Sequence, residues 1–321
     1  MTQKIFVGID VGGTKIATGL VSPSGKILSR AKSPTPPNAS SAEIIRSISF
    51  LCDEMFSNCN LKKKNLAGLG IGIPGIVDDK GVVIRTPNMS LSKVNLKKQL
   101  EQKFKVKVAL GNDANFGVLG EKWLGAARKV HNVVGLFLGT GLGAGVVIND
   151  RIFTGSHGAA AELGHMILQD RGGPKCGCGN QGCLEALTGR WAMERDIKKA
   201  IAEGKKTIVT KLVDNIHKPI KSRILYESLE RHDPLVSKIV TEASYQLGIA
   251  CISVKHIFDP EMIVLGGGVM KACGDFILPI VKKVAQKDKF FLGIGSCEIV
   301  ASELEDDAII LGAVAALAGS R

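Results

Sequence analysis

The chain has 321 residues, of which 45% are hydrophobic and 22% charged, with 38 glycines and few aromatics. That balance excludes a disordered polymer, glycine without a triplet period excludes a collagen, and the length suits two lobes better than one core. The net charge of +12 attracts anions, yet the lysines are scattered and few aromatics lie between them, which argues against a base-stacking surface for nucleic acid.

From the N-terminus, Lys4 to Ser22 is apolar around a Gly12-Gly13-Thr14 turn and reads as strand, turn, strand. The apolar run before Asp10 is too short for an export signal. A proline-rich loop follows at Pro34, Pro36 and Pro37. Ser41 to Phe56 carries Ile44, Ile45, Ile48, Leu51, Cys52 and Met55 at helical spacing. Leu66 to Ile73 is a buried strand ending at Pro74-Gly75. Val106 to Leu110 is another, and Asn112 opens a helix to about Ala127. The longest uncharged stretch, His131 to Asn149, holds five glycines and reads as two strands and a turn, not a membrane helix.

An irregular glycine- and cysteine-rich loop runs from Gly155 to Cys183. Helical spacing resumes over Leu184 to Glu203 and Asp233 to His256. Met262 to Leu265 is a strand entering Gly266-Gly267-Gly268, and Asp307 to Leu317 is a final helix. Strands and helices recur throughout, so the class is α/β. Val133 to Ile148 repeats the opening pattern: an apolar strand enters a Gly-Thr turn and a second strand leaves it. That repeat points to two similar lobes.

The two turns suit a phosphate chain, because glycine lets several backbone N–H groups approach without a side chain in the way. Asp10, at the end of the first strand, is placed to hold Mg²⁺, and Thr14 adds a hydroxyl. Lys15 is either a phosphate contact or a plain surface lysine. Neither turn is a P-loop. Together with Gly266-Gly267-Gly268 they point to a nucleotide in a cleft. Asn112-Asp113 at a helix start is either a cap or the place for a base, Asp113, that takes a proton from an attacking hydroxyl.

Eight cysteines in a chain without an export signal favour metal over disulfides. Cys176-x-Cys178-x₄-Cys183 follows His165, and three thiolates with one imidazole suit a closed, structural zinc site. Glu162 and Glu185 flank this knot, where carboxylates can accept bonds from the vicinal hydroxyls of a sugar.

Asp10-Val-Gly-Gly-Thr14-Lys15, Gly72-Ile-Pro-Gly75, Asn112-Asp113-Ala-Asn115, Leu138-Gly-Thr-Gly141, Glu162-Leu-Gly-His165, the cysteine motif through Glu185, and Leu265-Gly-Gly-Gly268 occur in that order along nearly the whole chain. Together they resemble the ROK family of repressors and sugar kinases, and most closely its bacterial glucokinase branch.

The resemblance implies the duplicated ribonuclease-H-like, actin-like ATPase fold, two lobes with a central cleft and a zinc-bearing loop. The small lobe would span 1–120 plus about 305–321, and the larger lobe 121–304. It implies ATP and Mg²⁺ at Asp10, Gly12, Gly13, Thr14, Lys15, Gly139, Thr140 and Gly141, with Gly266 and Gly267 near the adenosine. Asp113 would be the base. Gly75, Asn88, Asn112, Glu162, His165 and Glu185 would hold the sugar, and His165, Cys176, Cys178 and Cys183 the zinc.

Glucose converted to glucose 6-phosphate is the reaction expected, with N-acetylglucosamine, N-acetylmannosamine, mannose or fructose as alternatives, in a cytoplasmic homodimer without nucleic-acid or membrane partners. Two departures bear on the sugar: Ala161 stands where the family usually has glycine, and no aromatic follows Pro87-Asn88. A repressor of this family carries a helix-turn-helix domain ahead of the first turn, and only nine residues precede Asp10, so the kinase is the expected branch. An actin-like ATPase scaffold is the third reading, and the cysteine knot argues against it.

Overall fold

The computed structural model describes residues 4–87 and 89–318. In chain order it runs β1 (Ile5–Val11), β2 (Lys15–Val21), β3 (Ile27–Pro34), α1 (Ser41–Asn58), β4 (Leu66–Ile73), three short strands β5 (Ile76–Val77), β6 (Val82–Arg85) and β7 (Val94–Asn95), α2 (Leu96–Phe104), β8 (Lys107–Asn112) and α3 (Asp113–Leu124). It continues with β9 (Val133–Leu138), β10 (Leu142–Ile148), β11 (Arg151–Ile152), α4 (Leu184–Thr188), α5 (Arg190–Ala202), α6 (Val209–Leu212), α7 (Ser222–Glu230) and α8 (Pro234–Phe258). The last elements are β12 (Met262–Gly266), α9 (Gly268–Ala285), β13 (Glu298–Ala301) and α10 (Ala308–Ala318).

Two compact units emerge: residues 1–131, 145–161 and 306–321, and residues 132–144 and 162–305. The chain thus crosses between units four times, after residues 131, 144, 161 and 305, where the resemblance implies two crossings, at about 120 and about 305. Packing explains the extra segments of the first unit. A Cβ on Gly145 would crowd Ala114 and Val118 of α3, and Asp150 pairs with Lys122 at 2.8 Å and His131 at 2.6 Å.

The first unit is built on a five-stranded sheet in the order β3-β2-β1-β4-β8. β1, β2 and β3 form an antiparallel meander, and β4 and β8 run parallel to β1. Strand alternation sends Ile5, Val7, Ile9 and Val11 to one face, where they are buried in one cluster with Ile44, Ile48, Leu51 and Met55 of α1. Each such side chain contributes about 1.5–3 kcal/mol by leaving water.

α1 starts at a capping box, with the Glu43 amide donating to Ser40 Oγ and the Ser40 amide donating to Glu43 Oε2 at 2.8 Å. On the opposite face Gly8 of β1 and Gly70 of β4 lack side chains because α10 lies there: a Cβ on either would overlap the carbonyl oxygen of Ile310 or Ala313. Asp10 shares the parity of Gly8, so it emerges on the α10 side at the strand end.

A second five-stranded sheet repeats the order as β11-β10-β9-β12-β13, with β12 parallel to β9 and β13 parallel to β12. β12 enters α9 through Gly267. α8 begins at Pro234 behind the Asp233 cap, whose Oδ1 accepts from the Val236 amide at 2.9 Å, and it ends at the left-handed Asp259.

The expected helix over Leu184 to Glu203 is two helices broken at Gly189, whose φ −58°, ψ 153° is extended. The helix expected to reach Ala127 stops at Leu124, where a Cβ on the next residue, Gly125, would overlap the Glu121 carboxylate. No helix among the described residues is long and apolar enough to cross a membrane.

Candidate active site

Three parallel strands of the first unit end on one edge. Register places Asp10 opposite Gly72, Gly72 opposite Gly111, and Ile73 opposite Asn112. Ligands of open α/β sheets collect outside such carboxyl ends. Here the edge presents the Gly12–Thr14 turn, the Pro74-Gly75 turn and the start of α3. Gly12 donates to the Lys15 carbonyl at 2.9 Å, and Gly13, Thr14 and Lys15 are exposed.

The cap of α3 falls to Asn112. Its Oδ1 accepts from the Asn115 amide at 3.0 Å and its Nδ2 donates to the Gly75 carbonyl at 3.1 Å. Gly75 has φ +119°, and a Cβ there would overlap the Arg85 carbonyl. Asp113 is thereby left at the first helical position, half-buried, with Oδ1 accepting from the Ala114 amide at 2.8 Å.

Burial pushes the Asp113 carboxyl above the usual range, and the Ala114 N–H pulls against it. Asp10 is pushed up to about 7, first by burial, then by repulsion from Asp113; Lys15 opposes the shift and Asp306, just ahead of α10, adds to it. Buried carboxylates that repel one another form a donor set that a divalent cation relieves.

Two participants lack any sequence signature. Thr35, inside the proline-rich loop, is buried and donates from Oγ1 to the Gly12 carbonyl at 2.7 Å, while its amide donates to the Thr14 carbonyl at 3.1 Å. It clamps the first turn from behind. Asp306 is the other. Asn88 lies outside the described residues.

In the second unit the β9–β10 turn is closed by Gly139 donating to the Gly141 carbonyl at 3.0 Å, and Thr140 is exposed. The Arg190 and Trp191 amides at the head of α5 donate to the Gly139 and Thr140 carbonyls at 3.3 and 3.0 Å. Gly266 pairs with Phe137, and Gly267, at φ +90°, has no room for a Cβ beside the Leu138 backbone. The third glycine run therefore adjoins the second turn, at the positive end of an 18-residue helix. Glu185, half-buried, accepts from the Leu142 amide at Oε2, 2.9 Å away, and its carboxylate fills the space where Gly141 would carry a Cβ.

His165, Cys176, Cys178 and Cys183 converge, with one ligand atom from each lying within 4.8 Å of the others. Cys178 Sγ is 3.7 Å from Cys183 Sγ, and Cys176 Sγ is 3.7 Å from His165 Nδ1. A tetrahedron with metal–sulfur arms of about 2.3 Å has edges of about 3.8 Å, so the four residues fit a closed four-coordinate metal. Backbone bonds wrap the loop, including Cys176 N to Asn180 O at 2.8 Å and Leu184 N to Met166 O at 2.8 Å.

Glu162 is exposed and heads the short 3₁₀ turn Leu163–His165 that carries the histidine. Ala161 before it has φ +66°. That is the left-handed region glycine adopts freely and alanine enters at a cost of roughly 1–2 kcal/mol, so the departure from the family's usual glycine falls on a residue whose backbone favours glycine. Cys176 Sγ lies 3.9 Å from Glu185 Oε1, so the knot adjoins the carboxylate that braces the second turn.

A family model described as ROK family matches residues 6–320, and the chain belongs to the ROK family. Among its relatives is a glucokinase of Thermotoga maritima, 35% identical over 98% of this chain and 97% of that protein. A xylose repressor of Caldicellulosiruptor bescii is 30% identical over 97% of this chain and 77% of the repressor. The crystal structure of a ROK family glucokinase from Streptomyces griseus in complex with glucose and AMPPNP superposes with a TM-score of 0.82 at 32% identity, covering 96% of this chain and 97% of that one. The duplicated, actin-like α/β fold implied by the motifs is the fold found.

Proposed function

We infer that this chain is an ATP-dependent sugar kinase, and we propose glucose as the sugar and glucose 6-phosphate as the product. The observation that carries the reading is the strand-end edge of the first unit, where Asp10 and Asp113 sit beside an exposed glycine turn. It is supported by the second turn and by the Cys-His knot.

In this proposal Gly13, Thr14 and Lys15, and Thr140 and Gly141, bind the phosphates through backbone amides and side chains, while Gly12 and Gly139 close the two turns and leave room for the phosphates. Gly266 and Gly267 lie toward the adenosine. Gly75, Asn112, Glu162, His165 and Glu185 orient the sugar. Asp113 accepts the hydroxyl proton as the oxygen attacks the γ-phosphorus, which requires it ionised. Its raised pKa makes it a better proton acceptor than an ordinary aspartate.

Asp10 would hold Mg²⁺, which when bound neutralises the β- and γ-phosphate charge. His165, Cys176, Cys178 and Cys183 would hold zinc, whose closed shell fixes the loop carrying Glu162 and Glu185. A cytoplasmic homodimer belongs to the same proposal.

The test is a panel of glucose, mannose, fructose, N-acetylglucosamine and N-acetylmannosamine with Mg-ATP, following ADP. Glucose should give the highest kcat/KM; preference for an N-acetyl sugar would move the assignment within the family. The similarity to a xylose repressor motivates a second reading, a sugar-responsive regulator. Sequence-specific DNA binding at physiological salt with no ADP release would establish it instead.

A further inference from the structure

We propose that Arg190 is a positioning residue for the nucleotide: it holds the Thr140 hydroxyl as an outward donor to a phosphate oxygen and supplies the cation of the second turn. The inference rests on the kinase reading.

A guanidinium has five N–H donors and no acceptor. Arg190 Nη2 donates to Thr140 Oγ1 at 2.9 Å, and Nη1 donates to the Ile220 carbonyl at 2.6 Å. The threonine oxygen is therefore held as an acceptor by a group that cannot reverse the bond. Its single proton must point elsewhere, and among the described residues no protein acceptor takes it. Thr140 is exposed, so that proton is offered outward, the polarity an anion requires.

The arginine is well anchored for this task. Its side chain is 16% exposed, and its own amide donates to the Gly139 carbonyl. Glu194 lies 3.8 Å away but is shared with Lys198, which it meets at 2.6 Å, so the arginine charge is only partly answered. The break at Gly189 makes the contact possible. A continuous helix would carry residue 190 off along its axis, whereas the extended Gly189 turns the head of α5 onto the glycine turn. A Cβ at Gly189 would sit 2.9 Å from the Glu185 carbonyl and 3.2 Å from the Thr140 carbonyl.

The test compares wild type with Arg190→Met, Arg190→Lys, Thr140→Val and the Met/Val double variant. Binding of Mg-AMPPNP and of adenosine is measured by calorimetry, alongside KM for glucose and the melting temperature. Arg190→Met and Thr140→Val should each weaken Mg-AMPPNP about tenfold, the size of one charge-assisted hydrogen bond, with adenosine affinity and glucose KM within about twofold of wild type. Arg190→Lys should recover only part of the loss, because an ammonium cannot serve both acceptors. The double variant should be within about twofold of the weaker single one.

Multiplying losses in the double variant, equal losses for adenosine and glucose, or unchanged Mg-AMPPNP binding would each overturn the proposal. Should Arg190→Met melt far below wild type, Thr140→Val still decides, since removing a hydroxyl that contacts no phosphate leaves Mg-AMPPNP affinity unchanged. Wild type that binds no nucleotide would bring down the kinase reading as well; wild type that binds with indifferent variants overturns this inference alone.

Discussion

The two glycine turns share a scaffold and differ in chemistry. Both join the first two strands of a sheet with the same order, and both are closed by one short backbone bond. Around the first stand Asp10, Asp113 and Asp306, with an exposed lysine and a threonine clamp behind. Around the second stand an arginine, a braced glutamate and the head of α5. Duplication thus repeats the place where a polyanion can be received. In the proposed mechanism the proton acceptor at the start of α3 and the arginine at the α4–α5 break lie outside the repeat, whereas Asp10, the proposed Mg²⁺ holder, sits in the repeated strand itself.

Removing what only the first turn has should produce the largest effect. Asp113→Ala is expected to lower kcat by about 10²–10⁴-fold, the usual weight of a positioned base, with KM for glucose changed only a few-fold. Activity near wild type would take the proton-transfer role from that edge.

Next is the Cys-His knot of the second unit, the proposed zinc site. Chelation or Cys183→Ser should raise KM for glucose on the order of tenfold or more and lower the melting temperature, while helical circular dichroism is largely kept. Because Glu185 follows the knot's Cys183 by two residues and accepts from the Leu142 amide, nucleotide affinity should fall too, by a smaller factor. An unaltered KM after verified metal loss would separate the knot from the sugar.

A smaller effect concerns pH. The Asp10 carboxyl titrates near 7 in the folded chain against 3.8 ordinarily. Between about pH 4 and about pH 7 the folded form keeps a proton that the unfolded chain releases, so nucleotide-free stability falls as pH rises through that window. Asp10→Asn abolishes this cost, and its melting-temperature advantage over wild type should grow from about pH 5 to about pH 8. A shrinking advantage would contradict the buried-carboxylate account.

The smallest effect is expected from Thr35→Val, which deletes the bond to Gly12 and keeps the side-chain shape. It should cost about 1–3 kcal/mol of stability, since the carbonyl loses its partner, and weaken nucleotide binding more than sugar binding.

Much of both turns was legible in the sequence because glycine, Asn-Asp and closely spaced cysteines are local signals. The elements missed lack such signals. β3 is half-exposed along its length, so it shows little hydrophobic alternation, and α9 opens on glycine and contains Pro279, both of which read as breakers. The apparent helical period through Gly189 hid the bend that brings Arg190 to a threonine 50 residues away. Thr35 and Asp306 act through contacts that no spacing along the chain announces. Asn112 illustrates the reverse case: the cap and the functional edge, alternatives in the sequence, are compatible, because capping by Asn112 places Asp113 at the first turn of α3.

The most direct measurement is ³¹P NMR of Mg-ATP and glucose with catalytic protein. The account predicts a sugar-phosphate resonance at the 6-position growing in step with ADP, and no ATP loss when glucose is withheld. ATP cleaved to inorganic phosphate at the same rate with or without sugar would contradict it.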